Sequence, residues 1–214
     1  MVNYIVETLK EIGFLKEQIC LVIGFQGETV KNYFGETVSY ALQEKQKGTA
    51  HAAYTGMEKL PDKIATVLVI GGDDSAFYHK ETIADFIKQH MDSNCALSFL
   101  TAEADDPSQL GRIIRHKNGS VEIIEKEYAD KEQKKIKEVN TGTFCFKRKW
   151  FEEMFVKMPP LSKLGEYGLP TALDMARKQN KKYQAIKLFN SEEWFGVNTT
   201  EELKKADRRK YATK

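Results

Sequence analysis

The chain has 214 residues, of which 41% are hydrophobic and 30% charged, and its formal net charge is +2. That balance suits a soluble globular protein long enough to bury one sizeable core. Lysines and arginines are scattered among acids, even in the rich stretches 131–137 and 204–210, which argues against nucleic acid or a membrane surface as partner.

The amino terminus, Met1-Val2-Asn3-Tyr4, has neither the basic nor the apolar region of a secretory signal, and no apolar run reaches membrane-spanning length. Val2, Ile5, Leu9 and Ile12 recur at helical spacing, and Gly13 supplies the stop. The continuous apolar run Ile19 to Phe25 is expected of a strand covered on both faces. A short helix over 28–34 ends at Gly35, a strand follows over 37–42, and the spacing predicts a helix over 48–60. Ala65 to Ile70 is a second apolar strand, closing on Gly71-Gly72-Asp73-Asp74. A helix over 80–91 and a strand over 95–101 come next. Arg112–Arg115 and Val121–Glu127 flank Asn118-Gly119, a strong hairpin signal, so an antiparallel insertion makes the sheet mixed. After a charged helical turn over 130–135, the alternating stretch 139–147 reads as a strand and 150–157 as a helix. Pro159-Pro160 breaks the chain, and Pro170 sits near the first turn of a helix reaching Gln179. Residues 183–189 and 194–197 read as the last strands, and 200–211 as a polar helix capped by Thr199 or Thr200.

Helices alternating with buried strands argue for a layered α/β fold with a mainly parallel sheet, whose ligands bind at the carboxyl ends of the strands. Cys20, Cys95 and Cys145 each lie in an apolar run, without metal-ligand spacing, so they read as reduced core thiols of a cytoplasmic protein.

Several positions have two readings. In Leu42-Gln43-Glu44-Lys45-Gln46-Lys47-Gly48-Thr49-Ala50-His51-Ala52, Gly48 and Thr49 open a helix just past a strand. There they either leave backbone N–H groups facing a ligand or simply form a turn with Thr49 as N-cap. The amides of Gln43 and Gln46 offer a donor and an acceptor in one plane, as the edge of a nucleobase requires. Asp73 and Asp74, at a strand end, either hold a hard divalent cation or make a turn. Asn198 ends a strand on the same rim, as a second oxygen ligand or a helix cap. Glu125 and Asn140 lie inside apolar strands, where they either grip sugar hydroxyls or, for Glu125, point out from the hairpin. Gly111 lets backbone approach a sugar or only turns the chain. His51 reads as a packed or capping histidine, and His79, His90 and His116 have no ligand spacing.

In one order the chain carries L-Q-x-x-Q-x-G-T-x-H-A, an apolar strand with G-D, G-R-I-I-R, I-I-E, V-N-T-G, G-E-Y and G-V-N. That order resembles the sugar-1-phosphate nucleotidyltransferases, above all the N-acetylglucosamine-1-phosphate uridyltransferases, over nearly the whole chain. The resemblance implies a Rossmann-like three-layer sandwich with a mostly parallel mixed sheet. It implies base recognition by Gln43, Gly48 and Thr49, with Gln46 a neighbour, and Mg2+ on Asp73 and Asn198. It implies sugar binding by Gly111, Glu125 and Asn140, and UTP with a sugar-1-phosphate as substrates. It divides 1–214, one domain, into a nucleotide-binding half (1–110), a sugar-binding half (111–200) and a terminal helix (200–214).

The family opens with a strand and a glycine-rich loop of the type L-A-A-G-x-G-T-R-M, and this chain has no such segment, nor any other phosphate-cradling motif. A fold without that first central strand would expose two interior strand edges, which offer a route to oligomers. Two other functions therefore stand beside the enzyme: a relative that only binds nucleotide or sugar nucleotide, and a metal-dependent glycosyltransferase of similar fold using Asp73 and Asp74.

Overall fold

The computed structural model describes residues 1–161, 165–197 and 199–212. Helix α1 (Val2–Ile12) ends as predicted, because Gly13 turns left-handed at φ 107° and its N–H caps the carbonyls of Leu9 and Lys10. Strands β1 (Cys20–Ile23) and β2 (Ser39–Leu42) pair in parallel across helix α2 (Gly27–Phe34). Helix α3 (Thr49–Met57), strand β3 (Thr66–Val69), helix α4 (Lys80–Ser93) and strand β4 (Leu97–Glu103) follow. The hairpin is β5 (Arg112–Arg115) and β6 (Val121–Ile124), closed through Gly119 at φ 82°. Strand β7 (Glu138–Lys147) leads into helix α5 (Arg148–Phe155), then come helix α6 (Thr171–Lys178), strand β8 (Tyr183–Lys187) and helix α7 (Thr200–Ala212). Thr199 caps α7 reciprocally with Glu202, each side chain accepting the other's backbone N–H at 3.2 and 2.8 Å.

The alternation read in β7 makes it the axis of the larger sheet. Phe144 and Phe146 face α3, α5 and α6, meeting Met57, Phe151, Met154 and Leu173. Cys145 faces α1 and α4, with Ile5, Ile83 and Phe86. Strands β3, β4 and β5 all run antiparallel to β7, and β8 runs parallel to β4. The sheet is therefore mixed at its centre as well as at the hairpin.

Two features depart from the sequence reading. Residues 194–197 form no strand: a 3-10 turn over Ser191–Glu193 precedes them, Trp194 N–H closes that turn on the Ser191 carbonyl, and the alternate N–H groups of Phe195 and Val197 find partners on a loop. Second, β1 and β2 stand as a sheet of their own. Among the described residues β1 pairs only with β2, and β3 only with β7. Each keeps a free edge, and both edges line one cleft of about 930 Å³, the pair of exposed edges expected when a central strand is missing.

Helix α4 carries His90 inward until it is 1% exposed, with Nδ1 2.8 Å from the Ser98 hydroxyl and Nε2 unpartnered. Burial, and then the Lys147 charge, pull His90 from 6.5 down to about 4. The unfolded chain therefore takes up a proton near 6.5 that the native state refuses until about 4. The His90 contribution to stability is undiminished above that window and falls with pH within it, by about 2 kcal/mol between pH 8 and pH 5. The carboxyl of Asp74, titrating at about 7, acts in the opposite sense over this range, so a comparison with His90→Gln isolates the histidine. In denaturant melts the stability of His90→Gln relative to the wild type should improve by about this amount from pH 8 to pH 5, and an equal pH dependence in both would remove the assignment.

Candidate active site

The carboxyl ends of β1 and β3, the start of α3 and the middle of β7 converge on that cleft. Its wall includes Thr49, Asp73, Asp74, Glu125, Asn140 and Gly142.

The turn into α3 is built by remote contacts. Gly48, the N-cap, adopts φ 96° and ψ 174°, a conformation reserved in practice for glycine. A Cβ there would lie 2.6 Å from the Tyr167 carbonyl oxygen. Three hydrogen bonds hold the turn to the 167–169 segment. Tyr167 N–H donates to the Lys47 carbonyl at 2.8 Å, Ala50 N–H to the Tyr167 carbonyl at 2.7 Å, and Leu169 N–H to Thr49 Oγ1 at 3.0 Å. Thr49 is thus the first helical residue rather than the N-cap, and its hydroxyl ties two chain segments together. Gln43 sits behind the turn, its amide nitrogen donating to the Gly48 carbonyl at 3.2 Å. Gln46 is exposed beside Gly24.

Asp73 is exposed at the lip of the cleft and Asp74 half-buried behind it. The backbone carbonyls of Asp73 and Asp74 accept the N–H groups of Val197 and Phe195, both at 3.2 Å, so the segment after β8 is fastened to the end of β3. Asn198 lies outside the described residues. Burial, and then the Asp73 charge, push Asp74 up to about 7. Its Oδ1 is buried without a partner, and its Oδ2 lies 3.5 Å from where a Cβ on Gly142 would stand. Hard carboxylate oxygens, one of them orphaned, fit a hard divalent cation. No cluster of three or more His, Cys, Asp or Glu side chains forms among the described residues, so most other ligands of such an ion would be water, substrate or amide.

The sugar-binding candidates also come together. Asn140 N–H donates to the Gly111 carbonyl at 3.1 Å, and Glu125 Oε2 lies 3.3 Å from where a Cβ on Gly111 would stand. Asn140 Oδ1 accepts from Gly142 N–H at 3.2 Å, leaving its amide nitrogen to donate elsewhere. Burial first, and then the Glu127 charge, raise the Glu125 carboxyl. Glu125 therefore turns into the cleft rather than out from the hairpin.

The family model described as Nucleotidyl transferase matches residues 1–211. The chain is 35% identical over 209 residues to the bifunctional protein GlmU of Halalkalibacterium halodurans, covering 97% of this chain and 45% of that protein. GlmU of Acetivibrio thermocellus matches to the same extent. This chain belongs to the sugar-1-phosphate nucleotidyltransferase family. The member described here spans less than half the length of the curated relatives it matches. Solved structures carry the same fold. A Bacillus anthracis protein assigned as a glucose-1-phosphate thymidylyltransferase, solved with sucrose, superposes with a TM-score of 0.75 at 21% identity, covering 97% of this chain and 80% of that one. HddC from Yersinia pseudotuberculosis gives 0.67 at 18% identity, covering 97% and 84%. No helix among the described residues of this nucleotidyltransferase is long and apolar enough to cross a membrane.

Proposed function

We propose that this nucleotidyltransferase joins UTP to an N-acetylglucosamine-1-phosphate-like sugar phosphate. A phosphate oxygen of the sugar attacks the α-phosphorus, the bond to the β-phosphate oxygen breaks, and pyrophosphate leaves. The observation that carries this reading is the meeting of Thr49, from the base turn, with Asp73 and the Glu125–Asn140 pair on one cleft wall, Gln43 and Gly48 standing behind Thr49. Gln43, Gly48 and Thr49 would hold the base, while Gly111, Glu125 and Asn140 hold the sugar, so the chain works by fixing two reactants in line. A divalent cation such as Mg2+, held by Asp73 and Asn198, would supply positive charge to the phosphates.

One observation favours a second reading. Among the described residues, no lysine or arginine lines the cleft, so the chain itself brings no cationic side chain to the charge developing at phosphorus. A protein that binds nucleotide or sugar nucleotide without turnover fits that wall. Calorimetry with UTP and UDP-N-acetylglucosamine, run beside a pyrophosphate-release assay, separates the two. Release supports the enzyme; binding without release supports the binder; neither binding nor release overturns both.

Asn140→Ala removes an amide from the sugar side, and Glu125→Gln turns one carboxylate acceptor there into a donor and removes the charge. Each should weaken UDP-N-acetylglucosamine binding about tenfold while leaving UTP affinity unchanged. Equal losses for both ligands would take these residues out of the sugar site.

A further inference from the structure

The orientation of Gln43 is fixed by chemistry, and its second partner is His51. The Gly48 carbonyl, 3.2 Å from Gln43 Nε2, can only accept, so the atom facing it is the amide nitrogen. The same nitrogen lies 2.8 Å from His51 Nδ1. An amide nitrogen only donates, so Nδ1 must be an acceptor, and His51 is neutral with its proton on Nε2. Both hydrogens of the Gln43 amide are then committed. Its oxygen Oε1 has no partner among the described residues and stands on the opposite side of the amide. The imidazole is itself braced on α3, 6.2 Å from the Phe155 ring, and Phe155 in turn packs on Tyr54 and Tyr167.

We propose that His51 is a positioning residue that, together with the Gly48 carbonyl, locks Gln43 as a one-way acceptor, so that the site selects a base with a ring N–H on its pairing edge. This rests on Gln43 being a base contact, as proposed above. Uracil and thymine present N3–H to such an acceptor, and guanine presents N1–H. Cytosine presents a lone pair at N3 and adenine one at N1, and acceptor facing acceptor leaves both unpaired. A freely rotating glutamine would serve either kind of base by turning over. The Gly48 carbonyl and His51 Nδ1 remove that freedom together, the carbonyl by refusing an oxygen in the nitrogen's place and His51 by holding the second amide hydrogen, and it is selectivity, more than affinity, that the pair supplies.

Calorimetric titrations with UTP and CTP, each with Mg2+, test this on the wild type, Gln43→Ala, His51→Leu and His51→Asn. The wild type should prefer UTP at least tenfold. In His51→Leu, where only the Gly48 carbonyl still opposes turning over, that ratio should fall about threefold or more, with CTP affinity rising, which a loss of folding or packing would not produce. In His51→Asn, whose Oδ1 reaches about as far as Nδ1 and can accept the same amide hydrogen, the ratio should return. The proposal is overturned if the wild type shows no preference, or if His51→Leu keeps the full wild-type preference while Gln43→Ala loses it. If Gln43→Ala keeps both affinity and preference, it is the base site itself that is wrong, and the proposal falls with it.

Discussion

Asp73→Ala should abolish the Mg2+ dependence of UTP binding and lower pyrophosphate release about a thousandfold, roughly 4 kcal/mol of transition-state stabilisation. The fold should survive. Asp73 is exposed, and what it gives the structure is its backbone carbonyl, which accepts from Val197 and is retained in alanine. The variant also removes the second-largest influence on Asp74, the neighbouring negative charge, so Asp74 should titrate closer to an ordinary carboxylate. Two measurements are decisive: affinity for UTP with and without Mg2+, and the thermal midpoint. An unchanged midpoint with lost Mg2+ dependence supports the assignment. Undiminished Mg2+ dependence would remove Asp73 from the cation site, and with it the reason for placing Asn198 there.

What was legible in the sequence was what is encoded locally. The runs around Cys20–Ile23 and Thr66–Val69 announce strands because four consecutive apolar residues have nowhere else to go. Gly13 announces a helix end because few other residues turn left-handed cheaply. Asp73 could be placed on a rim because a strand end is a local event. The errors share a cause too. Phe195 and Val197 look like a strand because they alternate with Trp194 and Gly196, but their neighbour is the loop after β3, which offers two carbonyls rather than a ladder. Thr49 looks like a cap because capping is its commonest use at a helix start, whereas its hydroxyl is claimed by Leu169, 120 residues away. His51 looked inert because its partner, Gln43, belongs to the segment leaving β2, a different element. Pattern reading finds elements; it does not find the contacts between them that give side chains their duties.

Gly48→Ala should be the most damaging single-methyl change near the site. The residue would have to leave a backbone region that costs about 1–3 kcal/mol for any residue with a side chain. The new Cβ would also meet the Tyr167 carbonyl at 2.6 Å, the Tyr167 nitrogen at 2.9 Å and the Glu166 Cβ at 3.0 Å, and two of these are main-chain atoms unable to rotate away. Relief requires the turn to part from the 167–169 segment, surrendering some of three hydrogen bonds worth about 1 kcal/mol each. The sum is about 3–5 kcal/mol, which for a chain of this size is on the order of 10 °C in thermal midpoint. Gly119→Ala is the control: φ is 82° there, but nothing lies within 4 Å of the added Cβ, so only the backbone cost remains. Because the Gly48 carbonyl also orients Gln43, the Gly48 variant should lose UTP affinity along with stability, and Gly119→Ala should keep it. If Gly48→Ala melted and bound UTP like Gly119→Ala, the turn would not be the junction that joins the base site to the 167–169 segment.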